Sequence, residues 1–267
     1  MARATDPCDV LTSPCCGSRL VDQPASLRCE ACGSDYPARQ GFVDFVGREV
    51  PPPGLIQALW QSPAVVSVYR AVRRSIQAGV AGRVTDEATE GVLLRNFLDP
   101  RPGDDILDLG CGDGRHVRDV LETTRTGRLF AVDVSAQMLA RFGKDLSPAL
   151  RDRVTLARAM ADRLPLADAV VDRAFAIAML HLVLDPMPAL REVRRVLKPG
   201  GVVVFTVFMR GAITDLPPVV ALMRSVLGVR FESVAGVGRM CIDAGFLPPE
   251  VAVVHPLAIV RASVRRG

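Results

Sequence analysis

Lysine is almost missing from this 267-residue chain: of its 33 basic residues only Lys144 and Lys198 are lysines. The arginines are scattered apart from a short RASVRRG tail, so the formal charge of +4 does not form the basic stripe of a nucleic-acid surface. Aromatic residues are also scarce, at 5% with one Trp and two Tyr. No apolar run reaches the roughly 18 residues of a membrane span, and the longest, around Ala174 to Leu184, is interrupted by His181. Met1 to Val10 carries two acids and a proline and has no apolar core, unlike a signal peptide. A cytoplasmic chain without a membrane span is therefore expected. Internal repeats, a Ser-His-Asp pattern and a phosphate-binding loop are absent too. The seven cysteines make a poor disulfide framework, being odd in number with five of them in the first 32 residues. Metal binding is the better expectation for that cluster.

What the sequence does contain centres on DDILDLGCGDGR at 104 to 115. Ile106, Leu107 and Leu109 form a short apolar run that predicts a buried parallel strand. The run breaks into Gly110, Gly112 and Gly114, where the backbone must turn tightly and lie against a ligand with no Cβ between them. LFAVDVS follows at 129 to 135, a second strand tipped by Asp133, whose carboxylate can accept both hydroxyls of a ribose. Asp108 occupies the corresponding tip of the first strand. The spacing is not the G-x-G-x-x-G of a dinucleotide site, and Asp108 and Asp113 would repel a pyrophosphate while attracting a cationic amino group.

This stretch resembles motif I of the class I S-adenosylmethionine-dependent methyltransferases. The resemblance implies an α/β fold, a Rossmann-like doubly wound seven-stranded sheet, with S-adenosylmethionine as cofactor. It implies a cofactor-binding set of Asp108, Gly110, Gly112, Gly114, Asp133, Val134, Met138, Ala161, Asp162 and Ala178. ARAMADRLPLADAVVD resembles the family's G-D-A-x-x-L-P-F stretch, with Met160 standing where the family places the aspartate that takes the adenine amino group. Asp162 from a shifted loop or the backbone N–H of Ala161 are the two replacements. LKPGG at 197 to 201 is another family signature, expected to end a helix and turn into a strand at 202 to 208. Further helices are expected over 64–80, 85–97, 115–124, 215–227 and 231–244, the first opened by Ser62-Pro63. A closing antiparallel pair is expected over 251–255 and 257–262. Trp60, just ahead of the first of these helices, and Tyr69 on it are read as substrate contacts or core.

Residues 10 to 50 read as a small module in which Cys29-Glu-Ala-Cys32-Gly has the spacing of a zinc knuckle. It resembles the Trm112-like zinc ribbon, whose first knuckle, C-P-x-C-G, is here Ser13-Pro14-Cys15-Cys16-Gly17. Cys16, Cys29 and Cys32 match that pattern, and Cys15 or Cys8 is the candidate for a fourth ligand of a structural zinc. A ribbon held only by Tyr36, Phe42, Val43 and Phe45 is the alternative. The organisation expected is a ribbon over 1–50, a helical lead-in over 51–100 and a methyltransferase domain over 101–267.

His181, just past the fourth strand, is the candidate catalytic base, because imidazole titrates near neutrality; a structural role is the other reading of it. The resemblance extends to small-molecule methyltransferases of the quinone C-methylating type, so a hydrophobic or aromatic small-molecule acceptor is expected. A ribosomal RNA guanine-N1 methyltransferase and a cofactor-binding protein without methyl transfer are the alternatives.

Overall fold

The computed structural model describes residues 9–47, 87–117, 120–121, 127–183, 185–209, 231–254 and 257–267. The expected helices over 64–80 and 215–227, with Cys8, Trp60 and Tyr69, lie outside them, as do residues 118–119 and 122–124 of the one expected over 115–124.

Short apolar runs bounded by turns form the strands of a central sheet. Its core strands are β5 (Ile106–Leu109), β6 (Leu129–Asp133), β7 (Val154–Arg158), β8 (Val171–Ala176) and β9 (Leu197–Met209). All four residues of β5 are buried, as are the first four of β6, which is the signature of parallel strands covered on both faces. β11 (Glu250–Val254) and β12 (Leu257–Ser263) close the sheet as the expected antiparallel pair, and β12 alternates buried and half-buried residues. Across this part the order is β7-β6-β5-β8-β9-β12-β11, the seven-stranded doubly wound arrangement that the resemblance implies.

The helices follow from caps and amphipathic spacing. α1 (Glu87–Leu98) precedes the sheet, and Arg173 of β8, itself buried, fixes its end by donating from Nε to the carbonyls of Leu98 and Asp99. α2 (Ala136–Asp145) starts at Ser135, whose hydroxyl accepts the Met138 N–H, and buries Leu139 and Phe142. The single turn α3 (Pro148–Arg151) leads into β7. α4 (Pro186–Val196) has Asp185 as N-cap and proline at its first position, and its apolar stripe of Ala189, Leu190, Val193 and Val196 faces the sheet.

Two expected elements differ. LKPGG does not lie between helix and strand as a free turn: the chain passes from α4 directly into β9. Val171 pairs with Leu197 but Arg173 pairs with Val202, so the Pro-Gly-Gly segment bulges inside the strand. Residues 231–244 are not one helix. Phe231 and Glu232 form β10, parallel to the end of β9, and Ser233 then caps α5 (Val234–Asp243) by accepting the Gly236 N–H.

The N-terminal ribbon consists of β1 (Leu20–Gln23), β2 (Ser26–Cys29), β3 (Asp35–Arg39) and β4 (Phe42–Asp44). It does not stand apart from the sheet. β4 runs parallel to β7, with Val43 opposite Ala157 and Asp44 opposite Arg158, so the ribbon extends the sheet at its β7 edge.

Candidate active site

The carboxyl ends of β5 and β6 and the exits of β7 and β8 meet at one end of the sheet, the place where open α/β sheets bind ligands. Gly110, Gly112 and Gly114 all have positive φ, at 73°, 56° and 77°. The loop is held from below, because the N–H groups of Gly110 and Cys111 donate to the Val132 carbonyl at 2.8 and 3.1 Å. A Cβ on Gly110 would collide with the Met179 side chain, and one on Gly114 with the Phe142 ring, whereas one on Gly112 would meet nothing within 4 Å among the described residues. Gly110→Ala therefore combines a left-handed backbone with a steric conflict. It is expected to lower stability by about 1–3 kcal/mol, read from the urea midpoint at unchanged m-value.

Asp133 is tied into the same loop. One carboxylate oxygen accepts the Gly112 N–H at 2.9 Å and the other accepts the Ser135 N–H at 2.8 Å, leaving acceptor capacity on both. Burial raises its carboxyl above the usual range, opposed by the backbone N–H groups of Ser135, Gly112 and Val134. Asp108, only 4% exposed, is raised well above that range by burial and then by the Asp133 charge, while Arg115 pulls the other way. Arg115 also pairs with Glu90 of α1 at 3.2 Å, linking the lead-in helix to the loop.

The remaining expected residues lie past β6, in α2 and in the loops after β7 and β8. Val134 and Met138 are half-buried, beyond the β6 tip and in the first turn of α2. Ala161 is half-buried and packs against the core, whereas Asp162 is exposed. Ala178 has φ 56°, a strained conformation for a residue with a Cβ, and its N–H donates to the buried Thr206 hydroxyl at 2.8 Å. His181 lies in a short 3-10 turn, Leu180–Leu182, and is 8% exposed with its ring edge-on to Phe208 at 4.6 Å. Its Nδ1 is buried without a hydrogen-bond partner among the described residues, beside a cavity of about 10 Å³. Burial pushes its pKa down to about 4, so the ring is neutral at pH 7.

Met179 over Gly110, Thr206 under Ala178 and the clamp on the loop at 160–166 have no signature in the sequence. In that clamp Glu192 accepts the Leu164 N–H at 2.8 Å, and Arg195 donates to the Leu164 and Leu166 carbonyls while pairing with Glu192 and Asp168.

Residues 107–205, from β5 into β9, match the family model described as a methyltransferase domain. The chain carries a class I S-adenosylmethionine-dependent methyltransferase domain. Relatives of this methyltransferase domain include an uncharacterized chloroplastic methyltransferase of Arabidopsis thaliana, 28% identical over 221 residues, which are 75% of this chain and 62% of that protein. A malonyl-[acyl-carrier protein] O-methyltransferase of Halorhodospira halophila is 32% identical over 193 residues, 67% of this chain and 62% of the other. The chain thus spans less than two thirds of the length of either. Among solved structures, Haemonchus contortus phosphoethanolamine N-methyltransferase 2, in complex with phosphomonomethylethanolamine and S-adenosylhomocysteine, has the same fold. Its TM-score is 0.58 at 17% identity, over 67% of this chain and 53% of that one.

In the ribbon, the sulfurs of Cys16, Cys29 and Cys32 lie within 4.8 Å of one another, Cys16 and Cys29 at 3.5 Å. Thiolates around a tetrahedral zinc, with Zn–S of about 2.3 Å, stand about 3.8 Å apart, so the three fit three corners of such a site. Cys15, one of the two candidates for a fourth ligand, falls outside this group. Ser13 takes the place of the missing first thiol: it is buried and 2.7 Å from the Tyr36 hydroxyl.

Proposed function

We propose that this chain binds S-adenosylmethionine at the ends of β5 and β6 and transfers its methyl group to a small hydrophobic or aromatic acceptor. The observation that carries the reading is the Asp133 carboxylate, fixed by the Gly112 and Ser135 N–H groups at the second strand tip with capacity left for a diol. Bound there, the cofactor supplies an electrophilic methyl group on a sulfonium. Asp133 would accept the ribose hydroxyls, the Gly110 to Gly114 backbone would lie under the ligand, and Asp108 would face the cationic methionine end. Val134, Met138, Ala161 and Asp162 would border the adenine, and Ala178 would support the reacting end. The protein's contribution is placement, and orientation alone can supply roughly 7–11 kcal/mol of a barrier.

His181 would take the proton released by an O–H, N–H or acidic C–H acceptor as the methyl group arrives. Its neutral form is the competent one and prevails at pH 6 to 8, but burial holds the pKa near 4, so the near-neutral titration expected from the sequence is not met and the ring is a weak base. The scattered arginines and the 5% aromatic content favour a small molecule over RNA. The decisive experiment is calorimetric titration with S-adenosylmethionine and S-adenosylhomocysteine, followed by labelled-methyl transfer to phenols, quinones and carboxylate acceptors. Micromolar binding and label in a small acceptor are expected. Binding without transfer to any acceptor would leave a cofactor-binding protein, and no binding would overturn the assignment.

The ribbon would hold one zinc through Cys16, Cys29 and Cys32. Elemental analysis of the purified chain is expected to find close to one zinc per molecule, reduced in Cys29→Ser, with the melting temperature falling on chelation.

A further inference from the structure

We infer that the N-terminal ribbon forms one wall of the cofactor slot, and that Asp44 and Arg158 are positioning residues for the Asp133 carboxylate. This rests on the proposed ribose contact of Asp133.

Arg158 is the last residue of β7 and lies between two partners. Its Nε donates to the Val134 carbonyl at 3.0 Å, one residue beyond Asp133. Its Nη1 donates to the Asp44 carboxylate at 3.0 Å, on the last residue of β4. Both charged side chains are largely shielded, at 16% and 18% exposure, so the pair is screened less than a surface ion pair. The other Asp44 oxygen is occupied by the N–H groups of Val46 and Gly47, which fixes the carboxylate. The backbone repeats the connection: Phe45 N–H donates to the Arg158 carbonyl at 2.8 Å, and Ala159 N–H to the Asp133 carbonyl at 3.2 Å. A planar guanidinium presents its donors in a rigid fork and so holds a carboxylate and a carbonyl in fixed directions, whereas the donors of an ammonium rotate on a flexible stem.

The ribbon also supports the opposite flank of the slot. Thr12 N–H donates to the Pro165 carbonyl and Ala167 N–H to the Val10 carbonyl, at 3.1 and 2.9 Å, with Leu11 bridged to Leu166. Residues 133–135 and 160–167, the two segments bordering the nucleoside, thus both rest on the N-terminal segment.

A merely structural ion pair and a positioning pair differ in what their loss changes. The test uses the full chain, with Asp44→Asn, Arg158→Lys and, as a ribbon control away from the slot, Asp35→Asn, which weakens the Ser26 to Asp35 hydrogen bond. Each is titrated with 5′-methylthioadenosine and its 2′-deoxyribose analogue, and the ratio of the two affinities reports the carboxylate's contact with the ribose. Asp44→Asn and Arg158→Lys are expected to bind methylthioadenosine about 5–20-fold more weakly and to shrink that ratio about 3–10-fold, while Asp35→Asn changes neither. If Asp44→Asn does not fold, Arg158→Lys carries the test alone. An unchanged ratio in the folded variants, even with a lowered melting temperature, overturns the positioning role. Failure of the unmodified chain to distinguish the two ligands overturns the ribose contact itself.

Discussion

Asp133→Ala is expected to weaken S-adenosylhomocysteine binding by 100-fold or more, measured by calorimetry on protein shown to be folded. The substitution removes two hydrogen bonds from ribose hydroxyls to an ionised carboxylate, each worth about 1.5–3 kcal/mol when a charged partner is involved. Together they amount to about 3–6 kcal/mol, and every 1.4 kcal/mol is tenfold. The loss has a second source, because the same carboxylate anchors the Gly112 N–H and so helps hold the glycine loop in shape. Asp133→Asn keeps the size and one acceptor oxygen, and is expected to lose about 10–30-fold. An affinity within threefold of the unmodified chain in Asp133→Ala would move the nucleoside away from the β6 tip.

His181 should leave its mark on the pH dependence of stability. Its folded-state pKa is about 4, against about 6.5 for an unfolded histidine. Between those values the unfolded chain binds more protons, so stability rises with pH there. The contribution is complete above about pH 6.5 and is lost as pH falls toward 4, amounting to about 3 kcal/mol over that interval. Asp108 and Asp133 act in the opposite sense, because their raised carboxyls bind protons more readily in the folded state. The measurement is therefore a difference: urea unfolding of the unmodified chain and of His181→Gln from pH 4 to 7.5. The stability gap between them is expected to narrow toward acid by about 3 kcal/mol. Parallel curves would mean that the imidazole is not held neutral by its surroundings.

The parts legible in the sequence were those whose physics is local. A fully apolar strand running into alternating glycines, an aspartate at the next strand tip and a Ser or Asp cap before a helix are patterns of adjacent residues, and the structure places β5, β6, α2 and α4 accordingly. The three clustered thiols also follow from short spacing. What was hidden depends on residues far apart in the chain. Arg158 and Asp44 are 114 positions apart, and Arg195 looks like any cation on the outer face of an amphipathic helix until its five acceptors are seen. Thr206 is one polar residue in an apolar strand, and nothing near it in sequence points to the Ala178 N–H. The bulge at Pro199 to Gly201 was hidden because the same residues make an ordinary turn and only the register against β8 tells the two apart.

The pairing of β4 with β7 also sets an order of events during synthesis. The ribbon leaves the ribosome ahead of β7, because the strand it must join ends at Arg158, 114 residues after Asp44. At about 5–20 residues per second that interval is on the order of ten seconds, far longer than the microseconds in which a hairpin such as β1 and β2 forms. The ribbon therefore spends its early life as a few short strands with no sheet to lean on, and the thiols of Cys16, Cys29 and Cys32 can meet a metal ion before the rest of the fold exists. Completion of the sheet edge at β7 waits for a strand made earlier to dock onto one made later.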